Sequence, residues 1–237
     1  MVNNFNRIII GLLILISVIT IYFFELDILL ILIVTILSFY DLVKSNILRL
    51  THSFIFLLIV ISLFFFNKFI PLYFVLIPCL ISVVLFIFEE RYRNIFFTIS
   101  ITLFLYLFYF LSLSHRDLFY LIIFLSFLND TAAYIFGNLI KGPIIVPSIS
   151  PKKTWSGTVS SFLISLILLI FYGFNIFICI LVSISFFLGD ILFSHLKRNI
   201  GIKDFSSIFS SHGGILDRID SMFLAFIIFN SYTLIVS

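Results

Sequence analysis

Residues 157–193 read GTVSSFLISLILLIFYGFNIFICILVSISFFLGDILF, and this stretch decides the class of fold. It carries a single charge, Asp190. A helix needs about 20 apolar residues to cross the hydrocarbon of a bilayer. The stretch is therefore long enough for two crossings, divided only by Tyr172-Gly173-Phe174-Asn175. The rest of the chain repeats the pattern. Of 237 residues 62% are hydrophobic and 11% charged, more apolar surface than a soluble domain of this size can hide. The excess must face lipid.

Polar punctuation divides the chain into nine expected helices, at about 8–24, 27–43, 50–66, 69–88, 95–113, 117–137, 157–173, 174–193 and 218–236. The expected fold is thus all-α, a polytopic integral membrane protein. The run from Ile8 to Phe24 ends in Glu25-Leu26-Asp27 without a small-residue cleavage site, so it reads as a first span and not as a signal peptide. Nine spans place the termini on opposite sides. With the N-terminus in the cytoplasm, Arg7, Lys44, Arg49, Arg91, Arg93, Lys141, Lys152, Lys153, Lys197, Arg198, Lys203 and Arg218 all lie inside, and only Lys68 and Arg116 lie outside. That asymmetry follows the positive-inside rule. The net charge of +3 is no nucleic-acid signal. Cys79 and Cys179 sit in apolar runs and read as free thiols.

The chain reads as a single membrane domain, 1–237. Residues 1–115 serve as membrane-embedding helices, and 116–237 form a functional half with two long cytoplasmic loops, 138–156 and 194–217. Acidic residues within a membrane are costly. Four stand near the cytoplasmic ends of the last spans: Asp130, Asp190, Asp217 and Asp220. Asp130 is expected about two turns, roughly 10 Å, from the end of its span. Each carboxylate could merely neutralise a helix end by pairing with a nearby Lys or Arg, but four at one depth beside two basic loops favour a metal and phosphate site. Asp190, Ser194 and Lys197 share a face if their helix continues beyond the membrane, with Arg198 on the flank. Asp130 and Tyr134 share a face, as do Asp217, Asp220 and Ser221. His212-Gly213-Gly214 precedes the last helix, where glycines admit a close ligand and a helix N-terminus offers free N–H groups. Carboxylates with phosphate oxygens suit Mg²⁺. Ser150 to Gly157, SPKKTWSG, is a second basic helix start; alone it also reads as a topogenic Lys cluster with an interfacial Trp.

From Ser194 to Asp220 the chain reads SHLKRNIGIKDFSSIFSSHGGILDRID. This resembles the signature of the phosphatidate cytidylyltransferase family, the CDP-diglyceride synthetases, at every fixed position. Asn129 to Gly137, NDTAAYIFG, and the SPKKTWSG segment resemble the same family. The resemblance covers about residues 125–225; the first 115 residues match only as generic membrane helices. Two positions depart from the pattern. Ser210-Ser211 replaces the usual Pro-Gly, and Ser156 stands where Glu or Gln is common.

The resemblance implies a nucleotidyltransferase of phospholipid biosynthesis in the plasma (inner) membrane, its site facing the cytoplasm. Its substrates would be CTP and phosphatidate, its surroundings membrane lipid, and its cofactor Mg²⁺ with room for a second cation; a homodimer is left open. By resemblance the metal falls to Asp190, Asp217 and Asp220. Lys197, Arg198, Lys203 and Arg218 would hold the phosphates, with Lys152 and Lys153 for the same work. Asp204 belongs to the Lys-Asp pair of the signature, and His212 would donate a hydrogen bond to phosphate or shape the loop. Asp130, Tyr134, Ser194, Gly213 and Gly214 complete the expected substrate site. Two other readings compete. A CTP-dependent lipid-alcohol kinase would transfer the γ-phosphate, and a transporter would place its acids near the midplane, with inverted repeats.

Overall fold

The computed structural model describes residues 13, 16–48, 75, 77–79, 81, 82, 84, 93–209 and 213–236. The expected span at 50–66, most of that at 69–88 and the first part of that at 8–24 lie outside the described residues, as does His212. The elements are α1 (Asp27–Lys44), α2 (Arg93–Ser114), α3 (Arg116–Ile140), β1 (Ile144–Val146), β2 (Ser150–Thr154), α4 (Trp155–Phe171), α5 (Ile176–Asn199), α6 (Leu216–Ile219) and α7 (Met222–Val236). Among the described residues α2, α3 and α5 are long and apolar enough to cross a membrane, and α4 and α7 are shorter apolar helices. Their outward positions carry Ile95, Ile99, Leu163, Ile167, Ile184 and Leu188 in the open. An apolar exterior of this extent is that of a membrane protein.

Local chemistry sets the helix ends. Thr154 caps α4, its hydroxyl accepting the Gly157 N–H at 3.3 Å, and Asn175 caps α5 by accepting the Phe177 N–H at 2.9 Å. Lys197 and Arg198 occupy the last turn of α5, where cations meet the negative end of the helix dipole. Within the apolar helices Thr98, Ser100 and Thr102 turn their hydroxyls back to the carbonyls of Asn94, Phe96 and Thr98. That satisfies polar groups where no water is at hand.

The chain divides into two compact units. One comprises residues 1–114 and 204–219, the other 115–203 and 220–237. In the first, α1 packs on α2, and Phe205 stacks on Phe97 of α2 with ring centroids 5.9 Å apart. In the second, α3 packs on α4, α4 on α5, and α7 on both α5 and α3. Edge contacts between Phe119 and Phe226, Phe193 and Phe223, and Phe174 and Phe229 fill its core.

Three features depart from the sequence expectation. The loop expected at 138–156 contains an antiparallel hairpin, β1 paired with β2, so the fold is not purely helical. Ile144-Ile145-Val146 is a β-branched run that suits a strand, and Pro147 follows it at the turn. Second, α3 continues to Ile140 and stops at Lys141 in the left-handed region, ahead of Gly142-Pro143. Asp130 is therefore ten residues, ~15 Å, from the helix end. Third, the helix expected at 218–236 is interrupted: α6 ends at Ile219 and α7 begins at Met222. The Asp220 carboxylate accepts the Ser221 N–H at 2.8 Å, which competes with helix continuation. The Asp220 and Ser221 carbonyls turn instead towards Gly189, where an added Cβ would lie 2.5 Å from the Asp220 oxygen. α5 and the break between α6 and α7 thus meet through a residue with no side chain.

Candidate active site

In the second of these units, the helical unit built on α3, α4, α5 and α7, a pocket opens between α3, β2, α4 and α5. Asn129, Asp130, Ala133 and Tyr134 come to it from α3, Lys152, Lys153 and Thr154 from β2, Gly157, Thr158 and Ser161 from α4, Phe187 and Asp190 from α5, and Ser221 from the break before α7. Two close approaches give the pocket its shape. A Cβ on Gly157 would sit 2.5 Å from the Ala133 carbonyl oxygen, so α3 and α4 touch backbone to backbone there. Ser126 and Ser221 join α3 to α7 by a 2.7 Å hydrogen bond between hydroxyls.

The carboxylates are held by lysines. Asp190 forms an ion pair with Lys153 and accepts the Ser194 hydroxyl at 3.4 Å. The Lys153 ammonium also lies 5.9 Å from the centre of the Phe187 ring, a cation–π distance. Asp220 pairs with Lys197 at 3.6 Å, both side chains about nine-tenths buried. Because α5 runs on to Asn199, Asp190, Ser194 and Lys197 do share one helix face. Both carboxylates therefore have the lysine partners that simple charge neutralisation would give them, and Asp190 at the same time lines a pocket.

Arg198 and Ser156 join neighbouring elements. The Arg198 guanidinium donates to the Ile149 carbonyl at 3.2 Å and to the Ile202 carbonyl at 3.0 Å, tying the hairpin turn to the end of α5. Ser156 accepts the Gly142 N–H at 3.2 Å and bonds the Thr154 hydroxyl at 3.1 Å, fastening the end of α3 to the start of α4. Lys152, Lys203 and Asp204 are exposed, and Arg218 is partly so, in α6.

In the other unit Asp217 does different work. Its Oδ2 accepts the backbone N–H of both Phe205 and Gly214 at 2.9 Å. Gly213 has φ +77°, and a Cβ there would lie 2.5 Å from the Asp217 carboxylate, so both the backbone and the space demand glycine. The expected face shared by Asp217 and Asp220 does not form, because the helix breaks between them.

Two residues outside the expected site have clear places. Asn129 is 6% exposed, lines the pocket, and its Oδ1 is buried without a hydrogen-bond donor. Its position beside Asp130 in NDTAAYIFG was the available signal. Asp41, fully buried in α1, accepts the Leu216 N–H at 2.9 Å. An acid inside an expected span was the only sign of it.

Among the described residues no three Asp, Glu, His or Cys side chains are grouped to hold a metal. The pocket nevertheless fits Mg²⁺. It offers Asp130, Asp190 and the unpartnered Asn129 Oδ1, all hard oxygen donors. Mg²⁺ ordinarily takes one or two carboxylates and completes its shell with phosphate oxygens and water.

A unit of apolar helices with a carboxylate- and lysine-lined pocket defines a class, membrane proteins with a charged pocket. The comparison with known proteins is more specific. The chain belongs to the cytidylyltransferase family, whose sequence model matches residues 5–236. It is 43% identical over 104 residues to a phosphatidate cytidylyltransferase of Staphylococcus saprophyticus and 43% identical over 104 residues to that of Staphylococcus haemolyticus. Over the same length it is 40% identical to that of Staphylococcus aureus. Each match covers 40% of this chain and 40% of the relative.

Proposed function

We propose that the protein transfers the cytidylyl group of CTP to phosphatidate, giving CDP-diacylglycerol and pyrophosphate. The observation that carries this reading is the pocket, where lysines for phosphate and oxygen donors for a divalent ion converge in a chain of the cytidylyltransferase family. A phosphate oxygen of phosphatidate attacks the α-phosphorus of CTP, and the bond from that phosphorus to the bridging oxygen breaks as pyrophosphate leaves. The nucleophile is already an anion, so the chain needs no activated serine. It needs alignment and charge neutralisation. Lys152 and Lys153 bind the phosphates, Lys153 exchanging its Asp190 partner for a substrate oxygen, and the Thr158 and Ser161 hydroxyls add neutral donors.

Asp190, Asp130 and Asn129 would hold Mg²⁺, which supplies charge neutralisation on the triphosphate. The assignment of Asp217 and Asp220 to metal, of Lys197, Arg198, Lys203 and Arg218 to phosphate, and of His212 to loop and phosphate contacts belongs to the same proposal. So does the topology: nine spans, the N-terminus in the cytoplasm, and the pocket at the inner headgroup level of the plasma membrane. CTP is dissolved in the cytoplasm and phosphatidate is confined to the bilayer, so the two meet only there.

The test is to follow the α-phosphate. Purified protein with phosphatidate, Mg²⁺ and α-labelled CTP is expected to put label into a chloroform-soluble product and to release unlabelled pyrophosphate. A γ-transferring lipid kinase would leave the label in water-soluble CDP. Diacylglycerol serving as a better acceptor than phosphatidate, with the label staying in water, would overturn the reading.

A further inference from the structure

The first unit contains a carboxylate that the proposed reaction does not use. Asp41 stands three residues before the end of α1, wholly buried. It reaches a segment 175 positions away in sequence and accepts the Leu216 N–H at 2.9 Å. Leu216 is the first residue of α6, so this bond holds the N-terminal turn that carries Asp217 and Arg218. The fit around it is tight. A Cβ built on Gly214 would lie 2.2 Å from Asp41 Oδ2 and 2.5 Å from both its Cγ and Oδ1. All three nearest atoms belong to this one carboxylate. No left-handed backbone angle is needed at Gly214, in contrast to Gly213. Space for the Asp41 carboxylate thus accounts for the second glycine of the pair.

Asp217 holds the same segment from the inside, through Phe205 and Gly214, and Phe205 is stacked on Phe97 of α2. Phe205 and the stretch Gly214–Asp217 are therefore clamped by groups from α1 and α2 as well as by the Asp217 carboxylate. A generic lipid-facing helix would not bury an acid against a backbone amide, since an ionisable group there is costly unless its partner justifies it.

From this we infer that Asp41 is a positioning residue, which fixes the Gly213–Leu216 turn so that Asp217 and Arg218 are presented in one geometry. It gives the first spans a part in the chemistry beyond embedding the protein. The inference rests on the proposed cytidylyl transfer for its catalytic consequence, and on the structure alone for the clamp.

The experiment uses the full-length protein in detergent or nanodiscs, with two readouts: steady-state kinetics for CTP, and amide exchange of a peptide covering 213–219. Asp41→Ala is expected to lower kcat by about 10- to 100-fold, the scale of a small misplacement of reacting groups. KM for CTP should move less than about threefold by the same logic, since ground-state binding is untouched. Exchange in 213–219 should rise at least about tenfold, as expected when a local clamp opens. Asp41→Asn, whose amide oxygen can still accept the Leu216 N–H, is expected to recover most of both. Gly214→Ala should lower kcat in the wild-type background and much less in the Asp41→Ala background, because the group it collides with is gone. Should Asp41→Ala not fold, Asp41→Asn and the single Gly214→Ala still decide, the first with near-normal exchange and the second with raised exchange and lowered kcat. Unchanged exchange in Asp41→Ala would overturn the clamp. Raised exchange with kcat within twofold of wild type would overturn the positioning role. If wild-type protein makes no CDP-diacylglycerol, the functional reading fails by itself, and the exchange measurement still judges the clamp.

Discussion

The two units use the same side chain in opposite ways. In the helical unit Asp190 and Asp220 face lysines, Lys153 and Lys197. In the other unit Asp41 and Asp217 face backbone amides of Leu216, Phe205 and Gly214. An ammonium on a flexible stem can leave its carboxylate for a phosphate and return. A backbone amide cannot leave without taking its segment along. On the proposed reading the Asp190–Lys153 pair, which lines the pocket, can exchange partners, whereas the amides bound by Asp41 and Asp217 hold their segment still. A carboxylate in a membrane protein is not in itself evidence of a metal site; its partner tells which task it has.

The largest expected effect tests that contrast directly. Asp190→Asn should lower turnover by about 1,000-fold, the upper range for removing one preorganised electrostatic group. It should leave amide exchange near Phe205 and Gly214 as it is in the wild type. Asp217→Ala should also lose turnover, but with faster exchange at those amides, because the Phe205 and Gly214 N–H groups both lose their acceptor. If the two variants gave the same exchange pattern, the distinction between the units would collapse.

A second measurement concerns the buried pair. Lys197→Met takes the ammonium away from the buried Asp220 carboxylate, and breaking one side of a buried ion pair costs about 3–5 kcal/mol. Thermal unfolding should show the loss. Adding Asp220→Asn should restore most of it without restoring turnover. Failure of the second change to recover stability would mean that Lys197 and Asp220 do not act as a pair.

The smallest effect belongs to the scaffold. Thr154→Val removes the cap of α4, and a lost N-cap costs about 1 kcal/mol. The melting temperature should fall by a few degrees, with KM for CTP rising because Lys152 and Lys153 stand immediately before the cap. A fall in stability with KM unchanged would separate the hairpin from substrate binding.

How much of this was legible in the sequence depends on the range of each interaction. Apolar run length alone gave the helices at 27–44, 93–114, 116–140 and 155–171 to within about three residues, whereas the helix at 176–199 runs six residues past its expected end at 193. The common face of Asp190, Ser194 and Lys197 also followed from helical spacing, because it is local. The hairpin at 144–154 was hidden by its basic residues, which read equally well as a topogenic cluster. The interruption at Asp220–Ser221 was hidden because it depends on Gly189, in another helix. Asp41 escaped for the same reason. Its partner is 175 residues away, and within its own helix nothing distinguishes it from an acid near a helix end. Asn129 was quoted within NDTAAYIFG, yet its unpartnered oxygen becomes visible only once α3 is packed.

The break in the last apolar stretch has a consequence for the lipid around it. It leaves Asp217, Arg218 and Asp220 outside α7, so that helix carries no charge. α4, with 17 residues, rises only ~26 Å against a hydrocarbon layer of about 30 Å. A bilayer beside a short helix thins to meet it. On the proposed reading, a lipid phosphate beside α4 would be drawn part of the way towards the pocket, which α4 lines through Gly157, Thr158 and Ser161.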